Sequence, residues 1–418
     1  MLYYYSMYKI NPKFVSSLLL LLFLPLVSTN AAGEVFEFNH KEGDRYRILS
    51  VVKQEVLVNG FFSHRAEILN RIAVETTGET DGKWLHKAIF QTSERLVYDL
   101  ISGRQAGSSG FQWSREYESV FERDKLGRLT IDPKYYMPVV RNVPVFPEKN
   151  LNVGDKWYAE AYEVHDFRDA FGIEEPYKIP FNAFYEYVGE RQWKDVSYPS
   201  FTVTYNIESR PPPVRGLIYP MRISGTFNQL FYWDHALGQT VAYNENYRII
   251  FIMSDGRRIE FRGTAQAEFV EAENMDREQL ASEIQEEIER MDIKDVNVKV
   301  VDEGISLSLE DIRFYADSDR MLPGEEAKLA GIAEILKRYP ERDILVSGHA
   351  ALRGTPEYLL DLSQKRARAI ADYLLSENIR SADRIVIRGY GAERPIADNV
   401  TEEGMRRNRR VEITILEN

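Results

Sequence analysis

Residues 343–376 read DILVSGHAALRGTPEYLLDLSQKRARAIADYLLS, and this stretch decides the fold class of the C-terminal third. DILVSGH is an apolar run of strand length and reads as a buried strand. In the loop that follows, Gly354 permits the turn and Pro356 opens a helix, which Asn378 ends. Two strands, VNVKVV (296–301) and ISLSLE (305–310), precede it, with a helix, GEEAKLAGIAEILKRY (324–339), stopped by Pro340. The strands RIVIRGYG (384–391) and RRVEITIL (409–416) follow. Strand and helix in alternation require an α/β sandwich. Further upstream, Asp276 and Gln279 resemble a capping box, and Leu280, Ile284, Ile288 and Met291 recur at helical spacing. A helix over 276–291 therefore opens a domain expected to span 274–418.

The chain before that helix has a different period. Phe201, Val203, Tyr205 and Ile207 alternate with Thr202, Thr204, Asn206 and Glu208. Ala66, Ile68, Ile72 and Val74 share one parity against Arg65, Glu67, Arg71 and Glu75. These are half-buried antiparallel strands. Asp255-Gly256 closes a tight hairpin, Asp81-Gly82 and residues 107–110 mark turns, and Pro211, Pro212 and Pro213 exclude a central strand. The fold class is thus multidomain: a mainly-β, antiparallel body over 33–272 and a C-terminal α/β sandwich. Two prolines and a Gly-Asp turn at 144–154 suggest a seam that divides the body into two units.

Composition bounds what such a chain can do. At 418 residues it exceeds one ordinary domain, and 44% hydrophobic with 28% charged residues is globular. A net charge of -12 argues against a nucleic-acid partner. The absence of cysteine excludes disulfides, thiolate metal sites and a lipidated N-terminal cysteine. Lys9 and Lys13, the apolar run 14–27 and the small residues 28–32 have the order of a secretory signal peptide, expected over 1–32. The run is broken by Ser16, Ser17 and Pro25 and falls short of the ~20 residues a spanning helix needs. Without residues 1–32 the charge is -12 - 2 = -14, both lost groups being lysines.

The blocks GHA, RGTPEY, LSQKRA, GYGAERP and NRRVE stand in this order over 348–412. Residues 295–418 resemble the C-terminal domain of outer membrane protein A and of the peptidoglycan-associated lipoprotein, the OmpA-like family. The resemblance implies a non-catalytic module that grips the diaminopimelate of the peptidoglycan stem peptide. The far end of diaminopimelate is a zwitterion, so a site needs an anion for the ammonium and a cation for the carboxylate. The family arginine corresponds to Arg366, whose planar fork can hold a carboxylate. Asn408 and Arg409 match the family's groove residues, and Arg353 lies in the RGTPEY loop. The family's aspartate, however, is Ala351 here, followed by Leu352. The asparagine after RGTPEY is Leu359, and the acidic residue after Phe314 is Tyr315. The groove keeps its cation and loses its anion, which predicts weakened or altered diaminopimelate binding. Ornithine does not repair this, because it keeps the ammonium and drops the carboxylate.

Nothing else in the sequence asks for catalysis. The 6 histidines show no metal spacing, no P-loop or nucleophile elbow is present, and neither a metal nor a cofactor is implied. His165-Asp166 and Asp234-His235 are adjacent pairs whose side chains diverge on a strand, and His349 reads as structural. The aromatics Phe61, Phe62, Trp84, Trp113, Trp157, Trp193 and Trp233 read as core. The expected function is that of an exported, non-enzymatic scaffold in the periplasm or at the outer membrane of a double-membraned bacterium. Its β body would bind an unidentified envelope protein, lipid or glycan. The alternative is an outer-membrane β-barrel tethered to peptidoglycan by the C-terminal domain. Lacking cysteine, the chain stands apart from the lipoprotein branch of its family.

Overall fold

In this computed structural model, the structure describes residues 33–99, 104–105, 111–214, 216–271, 275–301, 303–310, 314–315 and 318–417. The expected signal peptide and the 107–110 turn lie outside them. Alternation of apolar and polar residues produces long strands in the body. They are β1 (Arg45–Val58), β2 (Phe61–Thr80), β3 (Lys83–Asp99), β4 (Arg104–Gln105), β5 (Phe111–Asp124), β6 (Leu129–Ile131), β7 (Val140–Arg141) and β8 (Lys156–Phe167). After the short helix α1 (Arg168–Phe171) come β9 (Ile173–Trp193), β10 (Val196–Ser209), β11 (Pro220–Asp234), β12 (Gln239–Met253) and β13 (Arg258–Glu271).

All pairings within the body are antiparallel, in the order β6-β5-β3-β2-β1-β13-β12-β11-β10-β9-β8-β7. The first and last strands pair, so the meander runs nearly full circle. Its gap lies between β6 and β7 and is bridged by residues 132–139. Ser119 on β5 donates to the Met137 carbonyl (2.8 Å), and the Val164 amide on β8 donates to the Val139 carbonyl (2.8 Å). The stretch 144–154 marks no break between sheets, because the strands on both sides of it belong to this one sheet. Gly256, at φ +86°, turns the β12–β13 hairpin in a backbone region that side chains disfavour. The prolines 211–213 sit outside any strand.

Inward residues form the body's core. Phe201, Val203, Tyr205 and Ile207 are buried with Phe146, Trp233 and the threaded Phe36 and Phe38. Trp157 stacks on Tyr185 at 5.0 Å. Phe61 departs from the expected core role: at the β1–β2 turn it is 79% exposed. The Trp113 side chain lies outside the described set.

The C-terminal part follows the predicted alternation: α2 (Arg277–Arg290), β14 (Val296–Val301), β15 (Gly304–Glu310), α3 (Glu325–Leu336), β16 (Ile344–Gly348), α4 (Pro356–Ser376), β17 (Ile385–Gly389), α5 (Glu402–Asn408) and β18 (Arg410–Leu416). The sheet order is β14-β15-β18-β16-β17, with β16 and β17 parallel. Asp276 caps α2 by accepting from the Gln279 amide at 3.0 Å, but the Gln279 side chain turns to Glu283, so the box is only half formed. Residues of α2, α3 and α4 and one face of the sheet make a single core that includes Ile284, Leu329, Ile370, Val346 and Ile413. The other face carries the buried Leu345, Val386 and Leu416. On this side Asp343 pairs with Arg71 of β2 (3.0 Å) and with Arg384 (2.9 Å), and β17 adds alongside β5 at Val386 and Ile387.

Candidate functional site

In parallel strands the connecting loops leave from one edge, and such edges are where α/β sheets hold ligands. The loops after β16 (349–355) and β17 (390–401) share that edge. Helix α4 lies close beneath them because β16 and β17 end in glycine. A Cβ on Gly348 would sit 2.0 Å from the Ser363 carbonyl oxygen, and one on Gly389 would sit 2.8 Å from the Gln364 amide nitrogen. The LSQKRA block is used almost residue by residue. Ser363 Oγ accepts from the Gly391 amide (2.9 Å), Gln364 Oε1 accepts from the Gly389 amide (2.6 Å), and Leu362 and Ala367 are buried.

Arg366 projects from the same helix toward the segment before α3. Its Nε donates to the Ser318 carbonyl (3.1 Å), and its guanidinium lies 5.0 Å from the Phe314 ring centre. Tyr315 is exposed, with the Arg320 guanidinium over its ring at 4.6 Å. Asn408 is fully buried. Its Oδ1 accepts from the Ile396 and Ala397 amides (2.8 and 3.0 Å), and its Nδ2 donates to the Ala397 carbonyl and to Asn399 Oδ1 (2.9 and 3.0 Å). It ties down the loop, and its amide has no capacity left for a ligand. Arg409 pairs with Glu402 at 2.8 Å, while Arg353 is exposed. Ala351 is buried at 4% exposure and Leu359 at 3%, so of the diverged loop pair only Leu352, 63% exposed, faces solvent. The Leu352 amide donates to Asn399 Oδ1 (2.9 Å), the same oxygen that accepts from Asn408. Asn399 therefore joins the two loops. Its sequence signal is the Asp398–Thr401 turn, where Asp398 Oδ1 accepts from the Val400 and Thr401 amides (2.9 and 2.7 Å).

Behind the loops sits a buried charged group. Arg410 Nε donates to Glu412 Oε1 (2.7 Å), and His349 Nε2 approaches Glu412 Oε2 at 3.5 Å while its ring stacks on Tyr390 at 5.1 Å. Burial would raise the Glu412 carboxyl, but His349 and Arg410 outweigh it and hold the group at about 2. Burial also keeps His349 below the usual histidine range, hence neutral near pH 7. This is a structural site. The adjacent His-Asp pairs do not form either: His165 Nε2 meets Glu163 (2.8 Å) and His235 Nε2 meets Glu34 (2.9 Å). Among the described residues no group of three or more His, Asp or Glu is placed to hold a metal.

A mixed five-stranded sheet with helices packed on one face and a polar loop edge defines the class, an α/β sandwich. Comparison with known proteins places a match in this part of the chain: residues 313–409 match the OmpA family. Outer membrane porin F of Pseudomonas aeruginosa is 37% identical over 105 residues, 25% of this chain and 30% of the porin. The peptidoglycan-binding protein ArfA of Mycobacterium tuberculosis is 35% identical over 104 residues, 25% of this chain and 32% of that protein. The peptidoglycan-associated lipoprotein of Brucella melitensis is 38% identical over 105 residues, 25% of this chain and 61% of the lipoprotein. The domain is thus homologous to peptidoglycan-binding proteins of the cell envelope, and the chain spans 30 to 61% of the length of these relatives.

Proposed function

We propose that this chain is a non-enzymatic envelope protein whose C-terminal domain, 274–418, docks on peptidoglycan stem peptides. It holds the β body, 33–272, at the cell wall in the periplasm or at the outer membrane of a double-membraned bacterium. The docking grip on diaminopimelate is weak. The observation that supports this is the loop after β16: the packing from Gly348 to Arg366 is close, but the loop carries a buried Ala351 at the carboxylate position and presents Leu352 beside it, so it offers no anion. Losing one charge-assisted contact removes roughly 1.5 to 3 kcal/mol, about one to two decades of affinity. Purified chain is therefore expected to be retained weakly on diaminopimelate-type sacculi. Ala351→Asp should raise retention about tenfold, provided its melting curve is unchanged, and Arg366→Ala should remove what remains. Tight retention of the unaltered chain, lost on Arg366→Ala, would contradict a weakened grip.

A membrane barrel tethered to the wall is the second reading, favoured by the near-circular strand order. Against it stands the outward face, which carries cross-strand ion pairs around the sheet. Arg65 and Arg262 meet Glu55 (2.6 and 2.9 Å), Arg95 meets Glu67, Lys156 meets Glu186 (3.1 Å) and Lys194 meets Glu268 (2.8 Å). A lipid-facing belt is apolar and ringed by aromatics. Release by osmotic shock, without detergent, distinguishes the two.

A further inference from the structure

The β body is not filled throughout. An interior cavity of about 290 Å³ lies between β1, β2, β3 and β5 on one side and β11, β12 and β13 on the other. That is roughly twice the ~150 Å³ that takes a benzene and near the lower end of ligand sites, ~300 to 1,000 Å³. Its walls are mostly apolar, with Ile48, Ile72, Phe90, Phe231 and Phe269 among them. Residues of the bridge across the sheet's gap, Met137, Pro138 and Val139, with Val140 beside them, close it. The cavity therefore lies behind the one part of the wall that is not hydrogen-bonded sheet.

Three polar groups in this lining lack partners. Gln229 Oε1, Thr240 Oγ1 and Arg123 Nε are buried without a hydrogen bond. Such groups are uncommon in native cores, because leaving them unpaired is unfavourable. Gln229 spends its amide on Glu245 (2.7 Å), a carboxyl that burial pushes up to about 7. Arg123 has no carboxylate partner among the described residues: its guanidinium meets the neutral Tyr46 hydroxyl and lies against aromatic rings, 4.7 Å from Phe38 and 6.0 Å from Phe121. A cation without a counter-ion among the described residues, with Nε unsatisfied at the margin of an apolar cavity, fits a molecule with an apolar chain and an anionic end.

We propose that this cavity binds a single-chain carboxylate amphiphile of the fatty-acid class, with its chain among Ile48, Ile72, Phe90 and Phe231 and its head group on Arg123. A phospholipid with two chains exceeds the volume. The proposal stands on the β body alone, so failure of wall binding leaves it untouched.

Dodecanoate and dodecyltrimethylammonium carry the same chain with opposite heads, and both can be titrated below micelle formation into the full chain by calorimetry. One-to-one binding of dodecanoate, at least tenfold tighter than the cation, is expected. Arg123→Met should bring dodecanoate within about threefold of the cation, and Val140→Trp, which fills the cavity, should abolish both. Equal affinity for the two heads overturns the assignment of Arg123, and the absence of saturable binding by either overturns the site. The head-group comparison needs no variant, so a misfolded Arg123→Met leaves the test intact.

Discussion

Glu412 shows how one residue can be fixed by its surroundings while remaining invisible to pattern reading. In the sequence it is one of 65 acids, the single one in a terminal strand. In the fold it is the counter-charge of Arg410, which is 4% exposed, and it faces His349. The carboxyl, normally at 4.5, is held at about 2, so its contribution to stability is complete above about 4.5 and is lost as pH falls toward 2. His349, depressed by burial, acts in the same direction, because protonating it in place is unfavourable. Glu412→Gln should cost about 2 to 4 kcal/mol at pH 7 by leaving the Arg410 charge buried and unpaired. It should also flatten the loss of stability between pH 4.5 and 2, as read in denaturant titrations across pH. An unchanged acid slope would contradict this assignment. At the same scale, Asn408 was legible as a family residue, but its role was not. Matching NRR implies a place near the groove, whereas in the fold its amide is spent on residues 396–399.

Elements were more legible than residues. The strands and helices of the C-terminal part fall where period and stop signals put them, because an apolar strand followed by Pro-initiated helix has few other solutions. The helix missed was α5, Glu402–Asn408. Its signal was present: Thr401 accepts from the Gly404 amide (3.0 Å), with acids in the first turn and arginines in the last. Seven residues are too few for a period to stand out. The close packing of α4 on β16 rests on Gly348, whose missing side chain admits the Ser363 carbonyl. Gly348→Ala should destabilise the domain by about 2 to 3 kcal/mol, by forcing α4 away from the sheet. A thermal melt within a degree of the unaltered chain would show that the helix can shift at no cost.

At the scale of the whole molecule, the β body and the C-terminal domain meet through Asp343, which bridges Arg71 from the body and Arg384 from its own domain. Alternation puts Arg71 on the polar parity of β2, but its partner is 272 residues away. Asp343→Asn should cost roughly 2 kcal/mol and separate the unfolding of the two parts in scanning calorimetry. A single unaltered transition would mean that the bridge does not couple them. The strand order is the other whole-molecule feature. Local alternation predicted antiparallel strands and allowed two units, but the pairing of β1 with β13 joins residues about 200 positions apart into one sheet.

The sequence by itself determined the division into a β-rich part and an α/β part, the likeness of the latter to the OmpA family and the presence of alanine and leucine at 351 and 352. Period, turn chemistry and motif order are local properties carried by neighbouring residues. Only the tertiary structure decided that Ala351 is buried while Leu352 is presented, that Asn408 is consumed by the loop and that the β body closes around a cavity lined by Arg123, whose Nε has no partner. Each of these depends on which distant strands and loops come to lie side by side, and burial is a property of that assembly rather than of any segment.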